Sequence, residues 1–337
     1  MKKLICQSPG HFLYREEDIP VRPQGYALLK IHQVGICGTD IHAFDGTQPY
    51  FSYPRVLGHE VAGEVIDIDS GHSCRIGETV TFIPYISCGH CIACRTGKPN
   101  CCVHMQVCGV HIDGAMAEYF LVPDQMLVHG KDLSVDALTL VEPLAIGAHG
   151  VQRANVAPGD HVLIIGAGPI GLAAIEFAQI AGGALSVMDV NQHRLQFCKE
   201  QMNVAHTIDA LSDNITEQLQ HITDGAMPSV VIDATGNQKA INKGFHYMAH
   251  GARYTLIGLQ SGDITFSHPE FHKREATLLS SRNATRENFM QVINAIQQKK
   301  IVPEKYITHR IPFNDLKDSF DSLTAPGNHI IKAMVTF

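Results

Sequence analysis

The stretch VLIIGAGPIGLAAIEFAQIAGGALSVMD, residues 162–189, decides the fold class of the chain. A short apolar run rich in β-branched residues leads into a glycine-rich turn, and a helix-forming segment and a second strand-like run follow. Further strand-like runs begin at Ser229 (SVVIDATG) and Arg253 (RYTLIGL). Strands that alternate with helices in this order predict a doubly wound parallel sheet with helices on both faces.

The glycines of that turn have the spacing of a dinucleotide site. Gly166, Gly168 and Gly171 follow a strand and open a helix, and Asp189 ends the next strand. In such a site the glycines permit a tight turn, a close approach of the backbone to the pyrophosphate, and close packing of helix on strand. The predicted contacts of the turn are Gly166, Gly168, Pro169, Ile170 and Gly171.

Asp189 predicts which cofactor binds. Its carboxylate can accept hydrogen bonds from the ribose hydroxyls and repels a 2′-phosphate, so NAD is favoured over NADP. Arg194, in the following segment, can turn toward a phosphate and weakens that preference.

The first 120 or so residues have the pattern of a β-rich domain. Residues 26–34 (YALLKIHQV) alternate apolar and polar side chains, and β-rich runs follow at Val61–Ile68 and Thr79–Tyr85. This predicts a partly open β-barrel. Thr285 can cap a helix, and the strand-like end HIIKAMVTF (329–337) is expected to return to this domain. The predicted buried face of the capped helix is Phe289, Val292, Ile293 and Ile296.

Composition excludes several classes of protein. The 337 residues, 45% of them hydrophobic and 18% charged, are enough for about two domains with sizeable cores. The net charge of −7 lacks the basic excess that nucleic-acid binding needs. No apolar stretch is long enough for a membrane span, and the apolar run after Met1 is too short for a signal peptide. We therefore expect a cytoplasmic protein with no nucleic-acid or membrane partner.

The ten cysteines are clustered rather than evenly spread. Cys88, Cys91, Cys94 and Cys102 lie within fifteen residues, with Cys101 as a competing fourth position. Four thiolates on a short loop suit a closed tetrahedral zinc site, which has no open position for chemistry and is therefore structural.

Another set of ligand-type residues lies in glycine-flanked turns. Cys37 stands in GICGTD, His59 and Glu60 in GHE, and Glu142 in VEP. None is diagnostic by spacing alone, because a single cysteine is usually a core residue and a single histidine is usually a surface residue.

Taken together, the motifs resemble the zinc-dependent medium-chain dehydrogenase/reductase family over essentially the whole chain. The branch that they resemble holds the polyol and threonine dehydrogenases, and within it the bacterial L-galactonate and L-gulonate (starvation-sensing type) dehydrogenases. The motifs are GICGTDIH, PRVLGHEVAGEV, CGHCIACRTGKPNCC, VEPLAIGAHG, VLIIGAGPIGLAA, GVHIDG and SRNAT. The resemblance implies a GroES-like catalytic domain at 1–145, completed by 286–337, and a Rossmann NAD-binding domain at 146–285.

The resemblance also implies residue roles. Cys37 and His59 match the two fixed ligands of a catalytic zinc, and Glu60 and Glu142 match two acidic positions near it, either of which can be a direct ligand. Thr39 and His42 match a proton relay. Asp40 matches a carboxylate that orients the ligand histidine, as metal sites generally require. Cys102 is preferred over Cys101 in the structural site. Thr235, Gly236, Gly258, Leu259 and Ser281 are expected to line the cofactor groove.

The implied reaction is hydride transfer from a secondary alcohol of a sugar acid or polyol to NAD, with zinc as the Lewis acid, in a cleft between the domains. Arg282 is the best candidate for holding a substrate carboxylate, and Asn283 and His111 are weaker ones. The alternatives are a zinc-dependent oxidoreductase of small alcohols or aldehydes and a catalytically silent cofactor-binding sensor. A homodimer or homotetramer is expected by family analogy, with RYTLIGL near a sheet edge as a possible pairing strand.

Overall fold

The computed structural model describes residues 1–49, 51–130, 132–325 and 327–337. Within them the strands are β1 (Lys2–Ser8), β2 (His11–Glu16), β3 (Tyr26–Gly35), β4 (Arg55–Val56), β5 (Glu60–Asp67), β6 (Thr79–Phe82), β7 (Tyr85–Ile86), β8 (Gln106–Val107), β9 (Tyr119–Pro123), β10 (Leu127–His129), β11 (His161–Ile165), β12 (Ala184–Asp189), β13 (His206–Asp209), β14 (Val230–Asp233), β15 (Arg253–Leu256), β16 (Thr277–Ser280), β17 (Ile307–Pro312) and β18 (Lys332–Thr336).

The α-helices of the same residues are α1 (Gly38–Phe44), α2 (Ile92–Arg95), α3 (Val135–Thr139), α4 (Val141–Ala154), α5 (Pro169–Ile180), α6 (Gln192–Gln201), α7 (Ile215–Ile222), α8 (Gln238–Gly244), α9 (His268–Lys273), α10 (Arg286–Gln297) and α11 (Leu316–Ser319). The chain divides into two compact units. Unit 1 is Met1–Glu142 with Thr285–Phe337, and unit 2 is Pro143–Ala284.

Unit 2 contains a six-stranded sheet in the order β13-β12-β11-β14-β15-β16, and every neighbouring pair is parallel. This order confirms the predicted doubly wound parallel sheet. The apolar run at 162–165 is buried because β11 is a central strand.

One expectation about this sheet is wrong. RYTLIGL contributes β15, which pairs with β14 on one side and β16 on the other. Its backbone groups are therefore already paired on both sides, and it cannot extend the sheet into another subunit. The edge strand next to it is β16.

Unit 1 contains a mixed sheet in the order β10-β6-β5-β3-β18-β17, with β9 also paired to β3. The predicted strand at 26–34 is confirmed, but it is more buried than its alternating pattern suggested, because β3 has partners on both sides. The polar residue Gln33 is only 2% exposed, and its side-chain amide donates hydrogen bonds to Asp136 and Thr139 near α3.

The C-terminal segment belongs to unit 1. β18 pairs antiparallel with β3, with Val335 opposite Val34. Thr285 precedes α10, and its backbone N–H donates to Asn288 Oδ1 at 3.1 Å, as in a capping box. The predicted face of this helix, Phe289, Val292, Ile293 and Ile296, is buried.

Candidate active site and metal centres

A group of side chains of the metal-ligand type, two of them buried and one half-buried, forms where β3 and β5 run side by side. Cys37 follows β3 and precedes α1, while His59 and Glu60 stand at the start of β5. The donor atoms of these three side chains lie within 4.8 Å of one another. Gly35 is paired with Glu60 across the strands, and a Cβ on Gly35 would overlap the Glu60 carboxylate. The glycine therefore leaves the space that the carboxylate fills.

The His59 side chain contains a buried polar atom with no hydrogen-bond partner among the described residues. The residue is 5% exposed, and its Nδ1 has no hydrogen-bond partner among the residues that the structure describes. A buried imidazole nitrogen without a partner is costly unless something else binds it. With a thiol and a carboxylate beside it, this donor set fits a zinc ion.

Asp40, which the resemblance matched to a carboxylate that orients the ligand histidine, is fully buried, and both of its oxygens accept backbone hydrogen bonds. Its Oδ2 accepts from the Cys37 N–H at 2.8 Å, and its Oδ1 accepts from the Gly58 N–H at 3.2 Å. The carboxylate thereby joins the two segments that carry Cys37 and His59. It sets the spacing of these side chains through their main chain.

Lys332 belongs to the cluster, and sequence reasoning missed it. Its Nζ donates to both Glu60 carboxylate oxygens at 2.7 Å and to the Ile36 carbonyl at 3.0 Å. Burial acts to lower the pKa of Lys332, but the negative charges of Glu60, Cys37 and Glu142 and the hydrogen bonds to Glu60 together outweigh it, and the pKa lies above the usual value. The available signal was a lysine in the middle of the apolar strand IIKAMV.

Glu142 is also buried, and the Tyr85 hydroxyl donates a hydrogen bond to its Oε1. Burial raises the pKa of Glu142 to about 7, against the lowering effect of the nearby His59. Among the described residues it is Glu60, and not Glu142, whose oxygen joins Cys37 and His59 in the compact donor group.

The four-cysteine loop brings its thiols together. Cys88, Cys91, Cys94 and Cys102 place their sulfur atoms within 4.8 Å of one another. Cys91 Sγ lies 3.4 Å from Cys94 Sγ and 3.8 Å from Cys102 Sγ. Such separations suit four ligands around one tetrahedral zinc. Cys101 is exposed and stands outside this group.

The predicted cofactor residues of unit 2 follow the carboxyl ends of its parallel strands, where the ligands of such sheets bind. Gly166 follows β11, Thr235 and Gly236 follow β14, Gly258 and Leu259 follow β15, and Ser281 follows β16. Gly236 and Gly258 approach so closely that a Cβ on Gly258 would overlap the Gly236 backbone. Ser281 is buried, and its hydroxyl has no hydrogen-bond partner in the described part of the chain.

The glycine-rich turn leaves room for a cofactor. Gly166 has a φ of 98°, which favours glycine, and a Cβ on Gly171 would overlap the Gly166 carbonyl. A Cβ on Gly168 would meet only Arg194 Nη1, at 3.7 Å. Another group can therefore approach the backbone at Gly168, which precedes α5.

Asp189 is 7% exposed at the end of β12. Its Oδ2 accepts from the Ala167 N–H at 2.6 Å and its Oδ1 from the Asn191 N–H at 2.8 Å. These bonds fix the carboxylate beside the turn. Each oxygen keeps a lone pair that a ribose hydroxyl can use.

Two family models match the chain. The "Alcohol dehydrogenase GroES-like domain" matches residues 23–132, and "Zinc-binding dehydrogenase" matches residues 169–298. The chain is 40% identical to the L-galactonate-5-dehydrogenase of Escherichia coli strain K12 over 338 residues, which cover 100% of this chain and 99% of that protein. The chain belongs to the zinc-dependent medium-chain alcohol dehydrogenase family.

Other members of this dehydrogenase family resemble the chain along its whole length. The starvation-sensing protein RspB of Escherichia coli strain K12 is 32% identical over 100% of this chain and 99% of its own. The crystal structure of rspB from E. coli CFT073, complexed with NADH, has a TM-score of 0.93 and 30% identity over 100% of this chain and 99% of that chain. The predicted fold class, with a GroES-like domain beside the parallel-sheet domain, is confirmed, and the chain is an oxidoreductase.

Two residues expected to relay protons in this dehydrogenase lie on α1. Thr39 is half-buried in the first turn, and His42 is exposed three residues later, so that both share one helix face. His42 Nδ1 lies 3.1 Å from the Thr47 hydroxyl.

The predicted substrate residues fall in different units. Arg282 is exposed and Asn283 half-buried, with a φ of 55° at Asn283, in the segment after β16 of unit 2. His111 is half-buried in unit 1, and its Nδ1 accepts from the Val107 N–H at 3.1 Å.

Proposed function

We propose that this dehydrogenase oxidises a secondary alcohol of a sugar acid or polyol, as an L-galactonate or L-gulonate 5-dehydrogenase would, with NAD and a catalytic zinc. The observation that carries the substrate class is the 40% identity to an L-galactonate-5-dehydrogenase over the full length of both chains. The cluster of the half-buried Cys37 with the buried His59 and Glu60 supports the chemistry, since its donors suit a Lewis-acidic ion.

The residues of the cluster have distinct tasks in this proposal. Cys37 and His59 are the fixed zinc ligands, and Glu60 is the acidic side chain nearest to them. Lys332 holds the Glu60 carboxylate by two hydrogen bonds and balances its charge. The donor side chains of the cluster do not enclose the metal completely. When bound, zinc would lower the pKa of the substrate hydroxyl, and NAD would accept the hydride.

The protein's own residues would also move the proton. Thr39 and His42 follow Cys37 on α1, with His42 at the surface, where it can pass a proton to solvent. Its Nδ1 lies beside the Thr47 hydroxyl, and its ring is exposed. Thr39 is the group between the buried cluster and His42 along the helix.

Unit 2 would hold the cofactor along the carboxyl ends of its strands. The open side of Gly168 takes the pyrophosphate, Asp189 takes the adenosine ribose, and Thr235, Gly258 and Ser281 line the groove. Arg282 is the proposed partner of the substrate carboxylate, because an exposed guanidinium can bind a carboxylate in a bidentate way. The four-cysteine loop takes a second, structural zinc.

The experiment that tests this proposal is NAD reduction across a matched panel of aldonates, alditols and simple primary alcohols. We expect turnover of one or more aldonates, with kcat/KM at least about tenfold above that for any primary alcohol. An Arg282→Gln variant should raise KM for the aldonate and leave KM for an alditol unchanged, because only the aldonate carries a carboxylate. If only primary alcohols are turned over, the protein is instead an oxidoreductase of small alcohols. If no compound is turned over, the result favours a catalytically silent cofactor-binding sensor.

A further inference from the structure

A third group of metal-binding side chains lies in unit 1. Cys74, Glu78 and His129 each offer one ligand atom, and these atoms lie within 4.8 Å of one another. The group shares no residue with the catalytic cluster or with the four-cysteine loop. The family resemblance assigns no role to any of its members.

Strand pairing brings two of these residues together. β6 and β10 are antiparallel, with His129 opposite Val80. Glu78 is two residues before Val80, and side chains two apart along an extended chain face the same side. The Glu78 and His129 side chains therefore meet on one face, where His129 Nδ1 lies 2.7 Å from Glu78 Oε1.

A tight turn between Arg75 and Glu78 brings Cys74 close to the other two side chains. The Glu78 N–H donates to the Arg75 carbonyl, and the Arg75 N–H donates to Glu78 Oε2, both at 3.1 Å. This reciprocal pair holds Cys74, the residue before Arg75, against the other two. Cys74 is 3% exposed, and its Sγ lies 3.7 Å from Nε2 and 3.8 Å from Nδ1 of His129.

These distances are close to those of a metal site. Sulfur and nitrogen ligands of one tetrahedral zinc ion lie roughly 3.5 Å apart, given Zn–S and Zn–N bonds of about 2.3 and 2.0 Å. The His129–Glu78 pair is at hydrogen-bond distance and must open slightly. A metal ion bound between them takes a lone pair of each group: the ring proton of neutral His129 moves from Nδ1 to Nε2 by exchange with water, and the Cys74 thiol proton is released to solvent.

Charge and access also suit a cation. A thiolate and a carboxylate together balance a divalent ion, which limits the cost of burying it. The His129 and Glu78 side chains are 35% and 28% exposed, so an ion and a water ligand can reach the site from solvent. Arg286, a nearby cation, is engaged by the carbonyls of Gln125 and Leu127.

We propose that Cys74, Glu78 and His129 bind a further divalent transition-metal ion, with zinc the best match to one sulfur, one nitrogen and one oxygen ligand. A water molecule would take the fourth position. The ion would connect the loop between β5 and β6 to strand β10. None of the three residues belongs to the proposed catalytic cluster, so this ion would be separate from the dehydrogenase reaction.

The test is the zinc content of the purified full-length protein after loading with zinc and removal of unbound metal. We expect Cys74→Ser, Glu78→Gln and His129→Gln each to bind one zinc fewer per chain than the wild type. Cys198→Ser is the matched control, because Cys198 is a buried cysteine of unit 2 outside all three donor groups. The test compares the zinc content per chain of each variant with that of the wild type. Its result therefore does not depend on whether the proposed catalytic role of Cys37 is correct.

A crystal of the zinc-loaded wild type provides a second measurement that does not depend on whether any variant folds. An anomalous peak at the zinc edge, bonded to Cys74 Sγ and His129, would support the proposal. Equal zinc content in the wild type and Cys74→Ser, or a wild-type map with no peak there, would overturn it. The three residues would then be a hydrogen-bonded cluster without a metal.

Discussion

Lys332 and Glu60 form a buried ion pair beside the proposed catalytic zinc. The two side chains are 1% and 0% exposed, and neither charge has water to stabilise it. Removing one partner of a buried pair leaves an uncompensated charge, which typically costs about 3–5 kcal/mol. We therefore expect Lys332→Met to lower the free energy of unfolding by an amount in that range, measured by urea titration of the zinc-loaded protein.

The double variant Lys332→Met/Glu60→Gln is the control for this prediction. It removes both charges, so it should be more stable than Lys332→Met alone. If Lys332→Met unfolds at the same urea concentration as the wild type, the ion pair does not contribute the stability that we assign to it.

Asp189 is expected to select NAD by charge. A carboxylate and a phosphate about 5 Å apart repel by roughly 3 kcal/mol at an effective dielectric constant of about 20. We expect Asp189→Asn to raise the ratio of kcat/KM for NADP to that for NAD by about 10- to 100-fold. Initial rates with each cofactor measure that ratio.

Arg194 provides the control for cofactor choice, because its guanidinium lies beside Gly168. Adding Arg194→Gln to Asp189→Asn should remove most of the gain for NADP, since no cation would remain to pair with the 2′-phosphate. An unchanged cofactor ratio in Asp189→Asn would contradict the proposed role of Asp189.

Sequence reasoning at the scale of single residues succeeded where the partners are close in sequence. The cysteine cluster at 88–102 was found from spacing, because a short loop forces thiols together, while the choice of Cys102 over Cys101 came from the family resemblance. Lys332 could not be found in that way. Its partner Glu60 is 272 residues away, and only the pairing of β18 with β3, next to β5, brings the two together.

The four-cysteine loop is an element whose order depends on a metal in our proposal. It contains only the short helix α2 and a single 3-10 turn at Pro99–Cys101. We expect Cys94→Ser to lose one zinc per chain and to lower the melting temperature by at least about 4 °C. Metal analysis and thermal unfolding measure the two effects.

Cys101→Ser is the matched variant, since Cys101 lies in the same loop but outside the donor group. It should keep the zinc content and melting temperature of the wild type. Loss of zinc from Cys101→Ser, with retention in Cys102→Ser, would show that our choice of the fourth ligand is wrong.

Asp160 joins the start of β11 to its neighbours in the sheet. Its carboxylate accepts from Ser229 Oγ at 2.7 Å, from the Ala157 N–H at 2.9 Å and from Arg253 Nη2 at 2.7 Å. Burial acts to raise the pKa of Asp160, but these bonds and the charge of Arg253 outweigh it and hold the pKa below its usual value.

The lowered pKa of Asp160 fixes the sign of a pH dependence. A carboxylate whose pKa is lower in the folded state contributes stability above its unfolded value of about 3.9, and this is lost as the pH falls through the folded value. We expect Asp160→Asn to be less stable than the wild type by about 1–3 kcal/mol at pH 7. The difference should shrink below about pH 4, as measured by urea unfolding across pH. A difference that grows on acidification would contradict this assignment.

Local sequence patterns predicted which segments form strands better than they predicted the position of each strand in the sheet. The runs at 161–165, 184–189 and 229–236 all contain strands of the parallel sheet. RYTLIGL lies near the sheet edge as predicted, but the edge strand itself, β16, follows it after a gap of twenty residues. The run by itself gave no sign that β15 would pair with both neighbours.

At the scale of the whole molecule, unit 1 is built from two separate parts of the sequence. The C-terminal part supplies α10, with its buried apolar face, and β18, with Lys332. The strand-like end was predictable from its apolar pattern, whereas the contribution of its lysine to the metal cluster required the three-dimensional pairing. No helix among the described residues is long and apolar enough to cross a membrane.

The central claim is that the ion held by Cys37 and His59 activates the alcohol of a sugar acid for hydride transfer to NAD. The most direct test is the rate of NADH formation from an aldonate substrate by the wild type and Cys37→Ser, with NADH binding to each protein followed by fluorescence. We predict that Cys37→Ser loses turnover by at least about 10³-fold and binds NADH as tightly as the wild type. Turnover by Cys37→Ser at the wild-type rate would contradict the account.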